Sequence, residues 1–149
     1  MRRPWKQNRR GAQALEFALV LPVLLALLTG VIDYGMYFFQ QHSVVASVRD
    51  GARLASALSC TDYSLADIEL LAEERTSNAL TAAGVDHSAS EVTATVGYDV
   101  ALSASTGEDV VIVTVDADIG HGLIIGLVPG PSALASTLAM RMEDQDCSP

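Results

Sequence analysis

The hydrophobic pattern divides the chain into a continuous apolar helix, an amphipathic helix and a set of alternating strands. Between Leu15 and Phe39 the only charges are Glu16 and Asp33, and Ala18 to Ile32 carries none. About 20 residues rising 1.5 Å each cross the hydrocarbon of a bilayer, and Phe17 to Met36 supplies that length. Tyr34, Tyr37, Phe38 and Phe39 gather at the far end, as in an interfacial aromatic belt. From Gln40 to Ser59 there is no proline, and Val44, Val45, Val48, Ala52, Ala55 and Leu58 repeat at helical spacing, so the helix should continue beyond the span.

Ser64-Leu65-Ala66-Asp67 has the form of a capping box and starts a second helix that Gly84 is placed to stop. Its apolar side holds Leu65, Ile68, Leu71, Ala72 and Leu80. Glu69, Glu73, Glu74 and Arg75 form the other side, which reads as a solvated face rather than an acid/base site. The period then changes to two. Val92, Ala94, Val96 and Tyr98 alternate with polar or small residues, Val110 to Ala117 is a β-branched run, and Leu134, Ser136, Leu138, Met140 and Met142 alternate again. Ser103 to Asp109 supplies turn residues. The reading is α+β: a long N-terminal transmembrane helix, a second amphipathic helix and a small sheet of about three antiparallel strands.

At 149 residues the chain has room for one span and one domain of about 100 residues, which predicts a leader at 1–11, a membrane helix at 12–39 and an extracytoplasmic domain at 40–149. Charge orients them. Arg2, Arg3, Lys6, Arg9 and Arg10 precede Gly11 with no acid among them, whereas from Gly11 onward four basic residues face 18 acidic ones, a balance of −14. The basic head should stay cytoplasmic and the acidic remainder should lie outside. An acidic domain of this kind excludes nucleic acid as a natural partner.

A secretory signal peptide also has a basic head and an apolar core. Against it stand Glu16 at the start of the core, an apolar region longer than the usual 7–15 residues, and the lack of a good A-x-A site after it. Neither Arg2-Arg3 nor Arg9-Arg10 is followed by the apolar residues of a twin-arginine signal. An ordinary single-pass anchor, carrying an adhesin or signalling module, explains the span but leaves Glu16 without a reason. An ionisable group in a membrane helix costs about 2.5–3.5 kcal/mol when central and less near an end, so it needs a partner.

The basic head, Gly11, Glu16 beside Phe17 and the apolar helix resemble the class III signal of type IV pilin-like proteins. The wider stretch Gly11-Ala12-Gln13-Ala14-Leu15-Glu16-Phe17 through Leu21-Pro22, with Gly30 to Gly35 and Val48-Arg49-Asp50-Gly51-Ala52-Arg53, is similar to the TadE family, minor pilin-like proteins of tight-adherence (Tad) pili. The resemblance covers the first 55 residues or so, with Ala139 to Glu143 a weaker match. It implies a pilin-like fold and a non-catalytic pilus subunit at the bacterial inner membrane. It also implies a prepilin peptidase cutting between Gly11 and Ala12, with Glu16 becoming the fifth residue of the mature chain. The implied partners are other pilin or pseudopilin subunits, inner-membrane assembly proteins and the lipid bilayer, with cell-surface attachment as the outcome.

The remaining candidates carry less chemistry. Pro22 should bend the span. Gly30, Gly35 and Gly51 either permit close approach of another helix or are simply tolerated. Asp33 and Tyr34 mark the outer membrane boundary, where Asp33 is solvated by headgroups or contacts another subunit. The uncharged connection Gly120 to Pro131 either meets a partner subunit or closes the chain's own sheet as a buried loop with a short helix. Cys60 and Cys147 both fall on the outer side, where a disulfide is the simplest pairing and would close a loop of nearly 90 residues; free or intermolecular thiols are the alternatives. His42, His87 and His121 are far apart, and there is no H-E-x-x-H, G-x-S-x-G or phosphate loop. Asp116 and Asp118 point the same way from a strand, a solvated face or at most a weak cation site. No catalytic residue, metal, cofactor or small-molecule substrate is expected.

Overall fold

In a computed structural model of the chain, an antiparallel meander is packed on one face by two helices. The structure describes residues 9–99, 104–105, 107, 109–126 and 129–147. Arg2, Arg3 and Lys6 of the basic head lie outside them, as do Ser103, Thr106 and Glu108 of the expected turn and Leu127 and Val128 of the β2–β3 connection. Helix α1 spans Arg9–Ser56 and α2 spans Leu65–Ala82; strands β1 (Val92–Tyr98), β2 (Val111–Gly120) and β3 (Ala133–Arg141) follow in the order β1-β2-β3. This is the expected α+β class, with β2 running three residues past the end of its β-branched run and α1 ending three residues early.

Period-two patterning decides which sheet face is covered. Val111, Val113, Val115, Ala117 and Ile119 of β2 are buried, together with Val92 and Ala94 of β1 and Leu134 of β3. The intervening residues place Thr93, Thr114, Asp116 and Thr137 on the open face, where the register aligns Thr93 with Asp116 and Asp116 with Thr137. Thr137 donates its hydroxyl to Asp116 Oδ1. Against the covered face lie Val44, Val48, Ala52 and Ala55 of α1, and Ile68, Ala72 and Leu80 of α2. Burial of one Val- or Leu-sized side chain contributes about 1.5–3 kcal/mol, so this cluster is the main source of domain stability.

The ends of α2 follow from local sequence. Ser64 caps the Asp67 amide and the Asp67 carboxylate returns to Ser64 N, a complete capping box. At the other end Val85 N reaches Leu80 O and Gly84 N reaches Thr81 O, with Gly84 at φ +73°. This Schellman geometry needs the left-handed conformation that glycine adopts without a Cβ clash, and it buries Val85 beside Leu80.

Small residues set the crossing of α1 and α2. A Cβ built on Gly51 would stand 1.9 Å from Thr76 Oγ1 and 2.9 Å from the Ala72 carbonyl oxygen. Gly51 is therefore a close-approach glycine within the folded domain. Gly35 has nothing within 4 Å of such an atom and is not one within this chain.

Both sheet edges are occupied by side chains. Ala94 N donates to Glu73 Oε1 at 3.0 Å and Val96 N to Glu69 Oε1 at 2.8 Å, so two carboxylates of α2 cover the outer edge of β1. The sequence expectation of a merely solvated acidic face is corrected for these two half-buried residues; Glu74 and Arg75 do stay exposed. On β3, Gln41 Nε2 donates to Ala135 O at 2.8 Å. Unpaired strand edges template aggregation, and these contacts remove donors and acceptors from that role.

Cys60 and Cys147 form a disulfide across 87 residues, with Cα atoms 5.4 Å apart. Around it Asp144 accepts from Ser59 Oγ and Cys60 N, Glu143 N reaches Ser56 O, and Gln145 bonds both backbone atoms of Val111. The C-terminal tail thus seals the end of α1 against the start of β2.

Candidate functional site: the exposed half of the long helix and its collar

Helix α1 is one element with two environments. Beyond Gln40 its inward side is core. Before that, Leu15, Phe17, Leu19, Val20, Val23, Leu27, Val31 and Ile32 are each more than half exposed. It is the one helix among the described residues long and apolar enough to cross a membrane. Apolar side chains left in water at this density would each forfeit their transfer energy, so this half is built for lipid or for other helices. Pro22 lies inside the continuous helix.

Gly11, Ala12, Glu16 and Phe17 belong to this half of the helix. The helix already runs through Gly11 and Ala12, and Gly11 and Glu16 are exposed. Glu16 has no hydrogen-bond or ion-pair partner among the described residues. Phe17 next to it is 64% exposed. The carboxylate is thus presented on the helix surface, unpaired among the described residues.

Asp33 has the opposite surroundings. It is 1% exposed, and its two carboxylate oxygens accept from Ile125 N at 3.0 Å and Gly126 N at 3.1 Å. Headgroup solvation or contact with another subunit, the sequence expectations, give way to a collar from the chain itself. The neighbouring Tyr34 hydroxyl donates to Pro129 O at 2.9 Å. Gly126 takes φ +66°, which turns the backbone so that successive amides face one carboxylate. His121 packs edge-on against Tyr37, ring centroids 5.4 Å apart, and bonds Ser132 O through its backbone N–H. The described residues of this connection hold no helix, and Ile124 and Ile125 are exposed at its tip.

Ile125, Gly126 and Pro129 were not legible as partners of Asp33. The available signals were a lone carboxylate in an apolar helix and an uncharged glycine-rich loop, each of which needed the other.

Several other titratable groups have structural partners. His87 lies between Ser77 Oγ (2.8 Å) and Val85 O (3.0 Å). Glu91 accepts from Ser88 N, Gly120 N and Ser88 Oγ, and these bonds hold its carboxyl down at about 2. Asp144 is lowered chiefly by the Ser59 hydroxyl, and Asp67 by that of Ser64. Cys60, Asp144 and Cys147 cluster closely enough to hold a metal, but both sulfurs are in the disulfide and lack the thiolate a metal needs. Asp116 and Asp118 share the open sheet face, as their spacing predicted.

Residues 11–53 match the family model of TadE-like proteins, in agreement with the resemblance carried by the same residues. The match covers α1 from Gly11 to Arg53 in its last turn. No curated protein and no solved structure matches the chain.

Proposed function

We propose that this chain, TadE-like over residues 11–53, is a membrane-anchored, non-catalytic minor pilin or pseudopilin of a Tad (type IVb-like) pilus. The observation that carries the reading is the two-sided α1. One continuous helix holds an apolar, largely exposed half, with Glu16 unpaired among the described residues, and continues into a half whose inward side is buried in a folded domain. Such a part can stay in a bilayer or pass into a bundle of like helices without unfolding its domain.

The basic head stays cytoplasmic and the acidic domain lies outside. A prepilin peptidase hydrolyses the Gly11–Ala12 peptide bond, leaving a carboxylate on Gly11 and a new α-amino group on Ala12. In the low-dielectric environment between neighbouring helices, that amino group and Glu16 of an adjacent subunit neutralise each other. A unit-charge pair about 4 Å apart is worth about 4 kcal/mol at an effective dielectric near 20. The interaction also removes the cost of leaving either charge alone. Partners are therefore the peptidase, other pilin or pseudopilin subunits and inner-membrane assembly proteins. The Cys60–Cys147 bond suits the oxidising outer side.

The test is intact mass and N-terminal analysis of membrane-extracted protein, made together with its prepilin peptidase and compared with Gly11→Leu. A new Ala12 terminus that disappears in the variant is expected. An intact Met1 terminus in both overturns the processing step and favours an uncleaved anchor, which would also tolerate Glu16→Leu.

A further inference from the structure

We infer that the β2–β3 connection is a second membrane contact, a lipid-inserting collar that Asp33 fastens to the transmembrane helix; this rests on the reading of α1 as a membrane span. The two bonds from Ile125 N and Gly126 N to Asp33 fix the height of the loop along α1. Asp33 precedes Met36, the outer end of the 20-residue span, by three residues, about 4–5 Å of helix rise. The amides of Ile125 and Gly126 are therefore level with the last turn of the span. They lie deeper than Phe38 and Phe39, which are 65% and 62% exposed.

What the loop offers at that depth is apolar. Ile124 is 60% exposed and Ile125 43%, and no residue from Gly120 to Pro131 carries a formal charge. Non-helical backbone is tolerated at membrane depth only where its polar groups are satisfied by protein. The Asp33 carboxylate takes two amides, Pro129 O accepts from Tyr34, and His121 N is bonded to Ser132 O. Conversely, the amides keep a carboxylate near the hydrocarbon from being unpartnered. The continuity of this tip with the lipid-facing surface of α1 selects lipid as its occupant. Loop and helix then enter the interface as one rigid unit, which sets the tilt and height of the domain above the bilayer.

The test uses the full chain, whose only two cysteines are in the disulfide, so an introduced cysteine is the sole free thiol. Ile124→Cys, Leu27→Cys in mid-span and Thr95→Cys on the open sheet face are labelled with an environment-sensitive fluorophore. Each is reconstituted in phosphatidylcholine vesicles carrying shallow or deep nitroxide lipids. About twofold quenching is expected at position 124 with the shallow quencher and less with the deep one. Position 27 should show the reverse order, and position 95 neither.

Quenching at 27 without quenching at 124 overturns the collar and leaves the span intact, whereas no quenching at 27 overturns the span reading itself. Equal quenching at 124 and 95 means a domain lying flat on the bilayer and also overturns the inference. Added to the Ile124→Cys chain, Asp33→Ala should weaken the shallow quenching. Unchanged quenching in that variant would remove Asp33 as the fastener.

Discussion

Gly51 offers the sharpest quantitative test of how the domain is held together. In an exposed helix interior Gly→Ala gains about 0.8–1.0 kcal/mol from backbone entropy. At Gly51 the added methyl would lie 1.9 Å from Thr76 Oγ1, 3.3 Å from Thr76 Cβ and 2.9 Å from the backbone oxygen of Ala72. Thr76 is fully buried and its hydroxyl is bonded to that same oxygen at 2.8 Å, so neither obstacle can swing aside. The helices must separate by about 1 Å or more, toward the upper end of the 1–3 kcal/mol that overpacking a core costs. The net loss for Gly51→Ala is about 2 kcal/mol. For a domain near 100 residues, with about 4–8 °C per kcal/mol, the midpoint should fall by about 8–16 °C. Thermal unfolding in detergent, followed by circular dichroism, measures it. Gly35→Ala on the same helix has open space and should leave the midpoint unchanged or slightly raised. In the background of Gly51→Ala, Thr76→Ala should recover part of the loss, a coupling of about 1 kcal/mol. A midpoint for Gly51→Ala equal to or above that of the parent would refute the close-contact account of the α1–α2 interface.

Other outcomes follow from the same contacts. Replacing Cys60 and Cys147 by serine opens the 87-residue link and should cost about 4–5 kcal/mol on the chain-entropy account, read as a lower unfolding midpoint matched by the reduced parent. Glu69→Ala or Glu73→Ala should each cost about 1 kcal/mol and speed amide exchange at Val96 or Ala94 respectively, whereas the Gln variants keep an acceptor and lose less. Glu91, Asp67 and Asp144 all have carboxyls lowered by native hydrogen bonds. Their contribution is present above the unfolded value and lost as pH falls through the folded one. Because the unfolded state binds more protons from about pH 4.5 down to about 2 for Glu91, stability should drop across that window, less steeply in Glu91→Gln.

Much of this architecture is written locally. The span, the capping box at Ser64, the stop at Gly84 and the alternation in three strands each depend on residues a few positions apart, where propensity and period act directly. Residues 11–53 likewise carry the family resemblance in one contiguous stretch, and Cys60 and Cys147 pair because the chain has only these two. Apart from the cysteine pair, contacts across 20 or more residues were not legible in that way. Glu69, Glu73 and Glu74 are alike in a linear pattern, and only the sheet's placement beside α2 makes the first two edge caps while the third stays in water. Gly51 and Gly35 are the same residue in the same helix. The packing of Thr76 separates a contact that excludes a methyl from a position that accepts one.

The sequence by itself determined which half of α1 is apolar throughout and that Asp33 is an anomaly within it. That Asp33 is answered by Ile125 and Gly126, 92 and 93 residues away, was decided only by the meander that carries the β2–β3 turn back to the helix. The reason is physical. Periodicity reports which face of an element avoids water, whereas the partner of a buried charge depends on where the rest of the chain brings its free backbone amides.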